Sequence, residues 1–317
     1  MSNTIKDTLT AIADAIRTKT GKTEKMKATD MPAEIASIQA GTGGGKDREI
    51  VEKTITSYKN DDVTKVGDYA FYKCSAITSV DLPAATQVGN YAFYICSNLT
   101  SANLPAVTSI GDSAFYQCKA LTSADFPKVE KIGGFAFNDC ESIASINFPV
   151  ATTIGSNAFS NCYKLTTANF PAVTTIGSGA IGYSGITTAD FPYATTIDAY
   201  AFSGCEQLVS VNFPSITTIG NYAFKNCVKL VSVDFPSVTT IGSGVFSSCN
   251  NITTIKVGSK NPKVCTLRSS DTFSNTPIAS RTGFIYVPDN LVASYKSATN
   301  WAVFKNQIKP LSEAPTT

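Results

Sequence analysis

The sequence predicts a mainly β solenoid of 22-residue coils, with a short helical head before it and an α/β closing segment after it. Three observations carry this. Cysteines fall at Cys74, Cys96, Cys118, Cys140 and Cys162, each 22 residues from the last, and the spacing resumes at Cys205, Cys227 and Cys249. The Phe three residues before each Cys keeps step: Phe71, Phe93, Phe115, Phe137, Phe159, Phe202, Phe224 and Phe246. So does a Pro, at Pro83, Pro105, Pro127, Pro149, Pro171, Pro192, Pro214 and Pro236. A fixed period in the twenties means stacked coils, each burying its apolar edge against its neighbours. The chain divides into a helical head (1–40), a Gly-rich linker (41–49), the solenoid (50–258) and a cap (259–317).

In the head, Ile5, Leu9, Ile12, Ala13 and Ile16 share one face of a helix over residues 3–19, and Gly21 stands at its C-cap. Asp30 and Pro32 signal a second short helix carrying Ile35 and Ile38. Two such helices bury too little surface to stand alone. The face of Ile5, Leu9, Ile12 and Ile16 must therefore meet the solenoid, other copies of the chain or another protein. The run Gly41-Thr42-Gly43-Gly44-Gly45 reads as a flexible linker.

Each regular coil reads alike. In Ser123-Ala124-Asp125-Phe126 the alternation puts Ser123 and Asp125 outside and Ala124 and Phe126 inside, and Pro127 ends the strand. Gly111 reads as the residue that permits a turn. At about 4.8 Å per coil, eight or nine coils make a rod of roughly 40 Å. The sixth coil has Ile181 for Phe, Ser184 for Cys and one residue fewer, so a local kink or thinning is expected there. After Val257 the period fails. Gly283 to Pro288 reads as a last strand, followed by short helices near Leu291–Lys296 and Trp301–Gln307, with Trp301 as a cap residue.

Composition narrows the function. The 317 residues carry a formal charge of +2, which points to neither nucleic acid nor a membrane surface. The absence of histidine removes the commonest general base and the commonest zinc ligand. No catalytic arrangement, metal site or cofactor site is expected. Stacked cysteines present parallel Cβ vectors one strand spacing apart, which suits free buried thiols better than disulfides. The N-terminus lacks the apolar core of a secretory signal and no stretch is long enough to span a membrane. The expected route is the cytoplasm, or export inside an assembled particle.

Two exposed columns are candidate contact surfaces. Two residues before each Pro stand Asp81, Asn103, Asp125, Asn147, Asn169, Asp190, Asn212 and Asp234, then Lys256 in the next coil. Interposing Asn between carboxylates relieves like-charge repulsion, and the column forms a mildly negative polar face. Aromatics gather in the first coils at Tyr69, Tyr72, Tyr91, Tyr94 and Tyr116, with Phe135, Tyr200 and Tyr222 at further repeat positions. Such stripes serve either contact with protein or glycan, or packing over turns.

The unit Ile-Gly-x-x-Ala-Phe-x-x-Cys-x-x-Leu-Thr-Ser with Phe-Pro resembles the BspA-like class of bacterial leucine-rich repeats over roughly residues 50–258. The segment from Phe284-Ile285-Tyr286-Val287-Pro288 to Asn300-Trp301 resembles the closing segment of such proteins in gut Firmicutes and their prophages. The head, from Ile5-Lys6-Asp7-Thr8-Leu9 to Met31-Pro32-Ala33-Glu34-Ile35, resembles N-terminal segments of phage tail and minor structural proteins of the same bacteria. These resemblances imply a non-catalytic protein that presents a leucine-rich surface to a protein or surface-glycan partner. The expected setting is a virion, as a phage or prophage tail protein that recognises a host receptor. It would be a homo-oligomer through the head or be attached to a virion protein. The alternative is a bacterial cell-surface adhesin.

Overall fold

A computed structural model of the chain describes residues 54–315. The head with its expected face of Ile5, Leu9, Ile12 and Ile16, and the linker, lie outside the described residues. From Ser57 onward the chain winds in stacked coils with three sides, and each side has its own way of satisfying the backbone.

On the first side, two-residue strands from Lys65–Val66 to Thr266–Leu267 pair in parallel as one ten-stranded sheet. The register is in step, with Ile110 beside Ile132 and Ile154 beside Ile176. Each strand buries its second residue and exposes or half-exposes its first, as β alternation requires. On the second side, short parallel strands that carry the Asp/Asn column form four separate groups. These are Ser57–Lys59 to Ser101–Asn103, Ser123–Asp125 to Thr167–Asn169, Thr188–Asp190 with Ser210–Asn212, and Ser232–Phe235 to Ile308–Pro310.

The third side is a stack of turns. Two residues per coil, four apart, take left-handed backbone angles: Tyr69 and Lys73, Tyr91 and Ile95, Ser113 and Gln117, Phe135 and Asp139. This aims alternate N–H groups along the stack. Those of Tyr69, Phe71 and Lys73 donate to the carbonyls of Asn90, Ala92 and Tyr94 in the next coil, at 2.6 to 2.9 Å. The strained angles are thus offset by bonds that leave few backbone groups orphaned.

This corrects the reading of the glycine column. Gly111 is not among the residues with positive φ. A Cβ there would lie 2.6 Å from Asn90 N, and one on Gly133 would lie 2.5 Å from Gly111 C. At Gly111 and Gly133 the coils approach too closely for a side chain, while Ser113 and Gln117 make the turn; Asp198 and Arg268 stand at the same place in their own coils and make the same backbone bond.

The interior holds columns. Phe71, Phe93, Phe115, Phe137 and Phe159 stack with centroids 4.9 to 5.2 Å apart, and Phe126, Phe148, Phe170, Phe191 and Phe213 form a second column at 5.5 to 5.8 Å. All ten are fully or almost fully buried, which stabilises the stack by about 1.5–3 kcal/mol per ring. The nine cysteines are free and buried. They are more than small hydrophobes, because the thiols of Cys96, Cys118, Cys140, Cys162, Cys227 and Cys249 each donate to the carbonyl of the Phe 25 residues earlier.

In the sixth coil Ile181 is fully buried in place of Phe, and the missing residue is absorbed by a 21-residue step, Thr175 to Thr196, with the ten-stranded sheet unbroken. The second side does break there, between Asn169 and Thr188, but it breaks equally between regular coils.

The stack also continues past Val257. Thr266–Leu267 pairs with Thr240–Ile241, and Phe284–Val287 pairs with Thr254–Val257, so the lost sequence period reflects inserted residues within a continuing register. Among the described residues the last strand is Ile308–Pro310, not Phe284–Val287, and Ile308, directly after the segment expected to be a helix, pairs with Ile285. An α-helix runs from Val292 to Ser297, and a single 3-10 turn spans Ala302–Phe304. Trp301 and Phe304 pack on Phe273, which ends the Phe column, and Trp301 Nε1 donates to the Cys265 carbonyl at 2.7 Å. Tyr295 Oη accepts from Cys265 N and Asn300 Nδ2 donates to the Leu267 carbonyl. Side chains thereby occupy the open edge of the ten-stranded sheet.

Candidate functional site

The Asp/Asn column lies on the second side, exposed or half-exposed at every coil. The stacking brings its members into direct contact. Asn103 Nδ2 donates to Asp81 Oδ1 at 2.7 Å, Asn147 to Asp125 at 2.9 Å, Asn169 to Asn147 Oδ1 at 2.7 Å and Asn212 to Asp190 at 2.8 Å. Lys59 Nζ closes the first end at 2.8 Å from Asp81 Oδ2. Its hydrogen bond, with that of Asn103 next, lowers the Asp81 carboxyl below its ordinary value. Asn therefore does more than space the charges, since it donates to the carboxylate one coil before. Asn103 and Asp125, Asn169 and Asp190, and Asn212 and Asp234 are not brought together by any such bond.

The five tyrosines of the first coils gather on the turn side. Tyr69 and Tyr91 occupy the first left-handed position of their coils, with φ of 60° and 56°. Tyr72, Tyr94 and Tyr116 stand three residues further along their own coils, so the stacking makes two columns. Tyr69 and Tyr91 stack at 5.0 Å, Tyr72 and Tyr94 at 5.1 Å, and Tyr94 and Tyr116 at 4.8 Å, all within 10° of parallel. Edge contacts join the columns, Tyr69 to Tyr72 at 5.5 Å and Tyr91 to Tyr94 at 5.6 Å. Because the faces cover one another, the platform presents mainly ring edges and phenol hydroxyls. Tyr69 is 51% exposed at one end, with Lys73 Nζ 5.1 Å from the Tyr72 centroid beside it. At the other end burial, with the Asp139 charge next, raises the Tyr116 phenol. Phe135 stands apart and exposed, and Tyr200 and Tyr222 form a separate stacked pair at 5.1 Å.

Sequence reasoning missed a further column. Asp68, Asn90 and Asp112, also 22 apart, each accept with a side-chain oxygen from a backbone N–H in the next coil, those of Asn90, Asp112 and Gly134. The signal was the same 22-residue period, one residue after Gly67, Gly89 and Gly111. Among the described residues no group of three or more His, Cys, Asp or Glu is placed to hold a metal ion, and no helix is long and apolar enough to cross a membrane.

Stacked parallel coils with recurrent outward columns define a leucine-rich-repeat solenoid, a scaffold that typically binds proteins without catalysis. The chain matches the BspA type leucine rich repeat region in six copies over residues 64–187 and 174–293, more than half its length, and belongs to that family. No curated protein matches it. Among solved structures it is similar to a leucine-rich repeat protein of T. pallidum, at 23% identity over 62% of this chain and 78% of that one, with a TM-score of 0.39. A leucine-rich cell surface protein of Faecalibacterium prausnitzii is 23% identical over 80% of this chain and 82% of that one, with a TM-score of 0.35. A leucine-rich repeat protein of Eubacterium ventriosum is 17% identical over 80% and 87%, with a TM-score of 0.45. Likenesses of this degree carry nothing about partners.

Proposed function

We propose that the protein is a non-catalytic binding protein whose contact surface is the tyrosine platform of Tyr69, Tyr72, Tyr91, Tyr94 and Tyr116. The observation that carries this is the platform itself: five contiguous aromatics, Tyr69 exposed and the other four half-buried, two of them at left-handed backbone angles. Aromatic edges with hydroxyls suit a protein partner, whose backbone and polar groups they can hydrogen-bond, and suit stacked sugar rings less. The polar face of Asp81, Asn103, Asp125, Asn147, Asn169, Asp190, Asn212 and Asp234 is the second candidate surface.

The setting we propose is a phage or prophage tail, with the solenoid turned toward a host receptor and the face of Ile5, Leu9, Ile12 and Ile16 serving assembly or attachment. This rests on the resemblance of the head. Oligomerisation would add avidity to a weak single contact. The second reading, a bacterial cell-surface adhesin, rests on the repeat class and uses the same platform.

The test measures binding of the labelled full chain to bacterial cells with and without Tyr72→Ala and Tyr94→Ala. A loss on substitution supports the platform, and unchanged binding removes it. Light scattering on the full chain against Leu9→Asp with Ile12→Asp tests the head. A trimer or larger that falls to monomer supports assembly, and a monomer in both rules out self-assembly. Fractionation of the producing cells into particles and envelope separates virion from adhesin.

A further inference from the structure

The side that carries the Asp/Asn column is four sheets where the neighbouring side is one, and all three boundaries fall where an Asn is followed, one coil on, by an Asp. The steps are Asn103 to Asp125, Asn169 to Asp190 and Asn212 to Asp234. Backbone and core change at the same places. The N–H groups of Leu82, Phe126, Phe148 and Phe191 donate to the carbonyls of Asn103, Asn147, Asn169 and Asn212 at 3.0 to 3.1 Å. Those of Leu104, Phe170 and Phe213, at the three steps, donate to no backbone carbonyl among the described residues. At the start of the strand, Thr100 N reaches Thr78 O at 2.8 Å within a group, while Thr122 N to Thr100 O stretches to 3.4 Å across the first step. Across the other two steps the N–H groups of Thr187 and Val231 have no such bond. The inward residues Ala102, Ala168 and Val211, which end the groups, are half-buried, whereas their counterparts in every other strand of this side are buried.

The side chains supply a cause. Each Asn donates from its amide nitrogen to the preceding coil, and the oxygen of Asn147 accepts from the next one. A following Asn meets that oxygen with a donor, as Asn169 does for Asn147 at 2.7 Å. A following carboxylate is acceptor-only and cannot. Acceptor then faces acceptor, and the coils separate on this side while the ten-stranded sheet and the buried Phe columns keep the stack together.

We propose that the three Asn-to-Asp steps are opening points written into the repeat, at which this side spreads and closes about the ten-stranded sheet as a spine. The strand face thereby becomes a deformable surface of three-, three-, two- and four-strand blocks, whatever the protein binds.

Hydrogen exchange on the full chain, read residue by residue, tests this. The amides of Leu104, Phe170 and Phe213 are expected to exchange at least about fivefold faster than those of Leu82, Phe126, Phe148 and Phe191, the factor that one net hydrogen bond supplies. Asp125→Asn gives Asn103 a donor, and should slow Leu104 by about fivefold while leaving Phe170 and Phe213 unchanged. Asn147→Asp creates a new step of two facing acceptors, and should speed Phe126 by a similar factor. Equal exchange in the two sets of amides overturns the proposal. So does a Leu104 amide indifferent to Asp125→Asn, and so does a Phe126 amide indifferent to Asn147→Asp should Asp125→Asn fail to fold.

Discussion

Replacing Trp301 by Phe tests how the end of the solenoid is closed. Trp301 is fully buried, and its Nε1–H is the donor to the Cys265 carbonyl at 2.7 Å. Among the described residues no further strand lies beyond Thr266–Leu267 in that sheet, so this carbonyl has no ladder partner on its outer side there. Phe keeps a ring in the site but leaves the carbonyl buried and unmet, at about 1–3 kcal/mol. The lost part of the indole leaves a void of a few tens of Å³, worth about 1 kcal/mol at roughly 24 cal/mol per Å³. The sum is a destabilisation of about 2–4 kcal/mol. Tyr295→Phe strands the other group of the same residue, the Cys265 N–H that now reaches Tyr295 Oη at 2.9 Å, at about 1–3 kcal/mol with little volume change. Because both act on Cys265, the double variant should lose less than the sum of the singles. Urea unfolding followed by far-UV circular dichroism gives the free energies. Hydrogen exchange should show the amides of Thr266 and Arg268, which bond to Thr239 and Ile241, losing protection first, since a solenoid frays from its ends. A Trp301→Phe protein within about 0.5 kcal/mol of the parent would refute the reasoning, because the edge would then be satisfied some other way.

The remaining predictions concern the columns. Burial raises the thiols of Cys96, Cys118, Cys140, Cys162, Cys205, Cys227 and Cys265, with Cys162 and Cys265 pushed up to about 12 and Cys205 to about 11. A raised folded pKa means stability is fully present below the ordinary thiol value near 9.0 and is lost as pH climbs from there toward 11–12. Each such thiol should contribute a slope of about 1.36 kcal/mol per pH unit, so the urea midpoint under reductant should hold to pH 9 and then fall steeply; a flat profile would contradict it. Ile95 is β-branched at φ 57°, a position that Asn161 and Asn226 fill in other coils. Ile95→Asn should stabilise by about 1 kcal/mol, seen as a rise in melting temperature, and a fall would mean that packing of Ile95 outweighs the strain. Gly133→Ala would drive a Cβ to 2.5 Å from Gly111 C and 2.6 Å from Asp112 N, atoms that cannot swing aside. Its expected loss exceeds about 3 kcal/mol, and near-parent stability would show that the coils can separate there.

Much of the architecture was legible because the same physical demand recurs every coil. The period, the inward Phe and Cys columns, the outward Ser and Asp of each strand and the place of each Pro follow from repetition and from β alternation alone. The tyrosine and Asp/Asn columns were legible as columns for the same reason. Where the repeat was interrupted by insertion, the reading failed: the stack was expected to lose its period after Val257 and to end on the strand before Pro288, because a sequence period cannot show that a longer loop returns to the same ladder. The glycine column was visible, but not its reason, because φ and inter-coil clearance are properties of the stack. Which tyrosine faces are covered, which Asn donates to which Asp, and where the strand side divides were decided only by tertiary structure. Each depends on distances between residues 22 positions apart along the chain, and only the stacking of one coil on the next sets those distances.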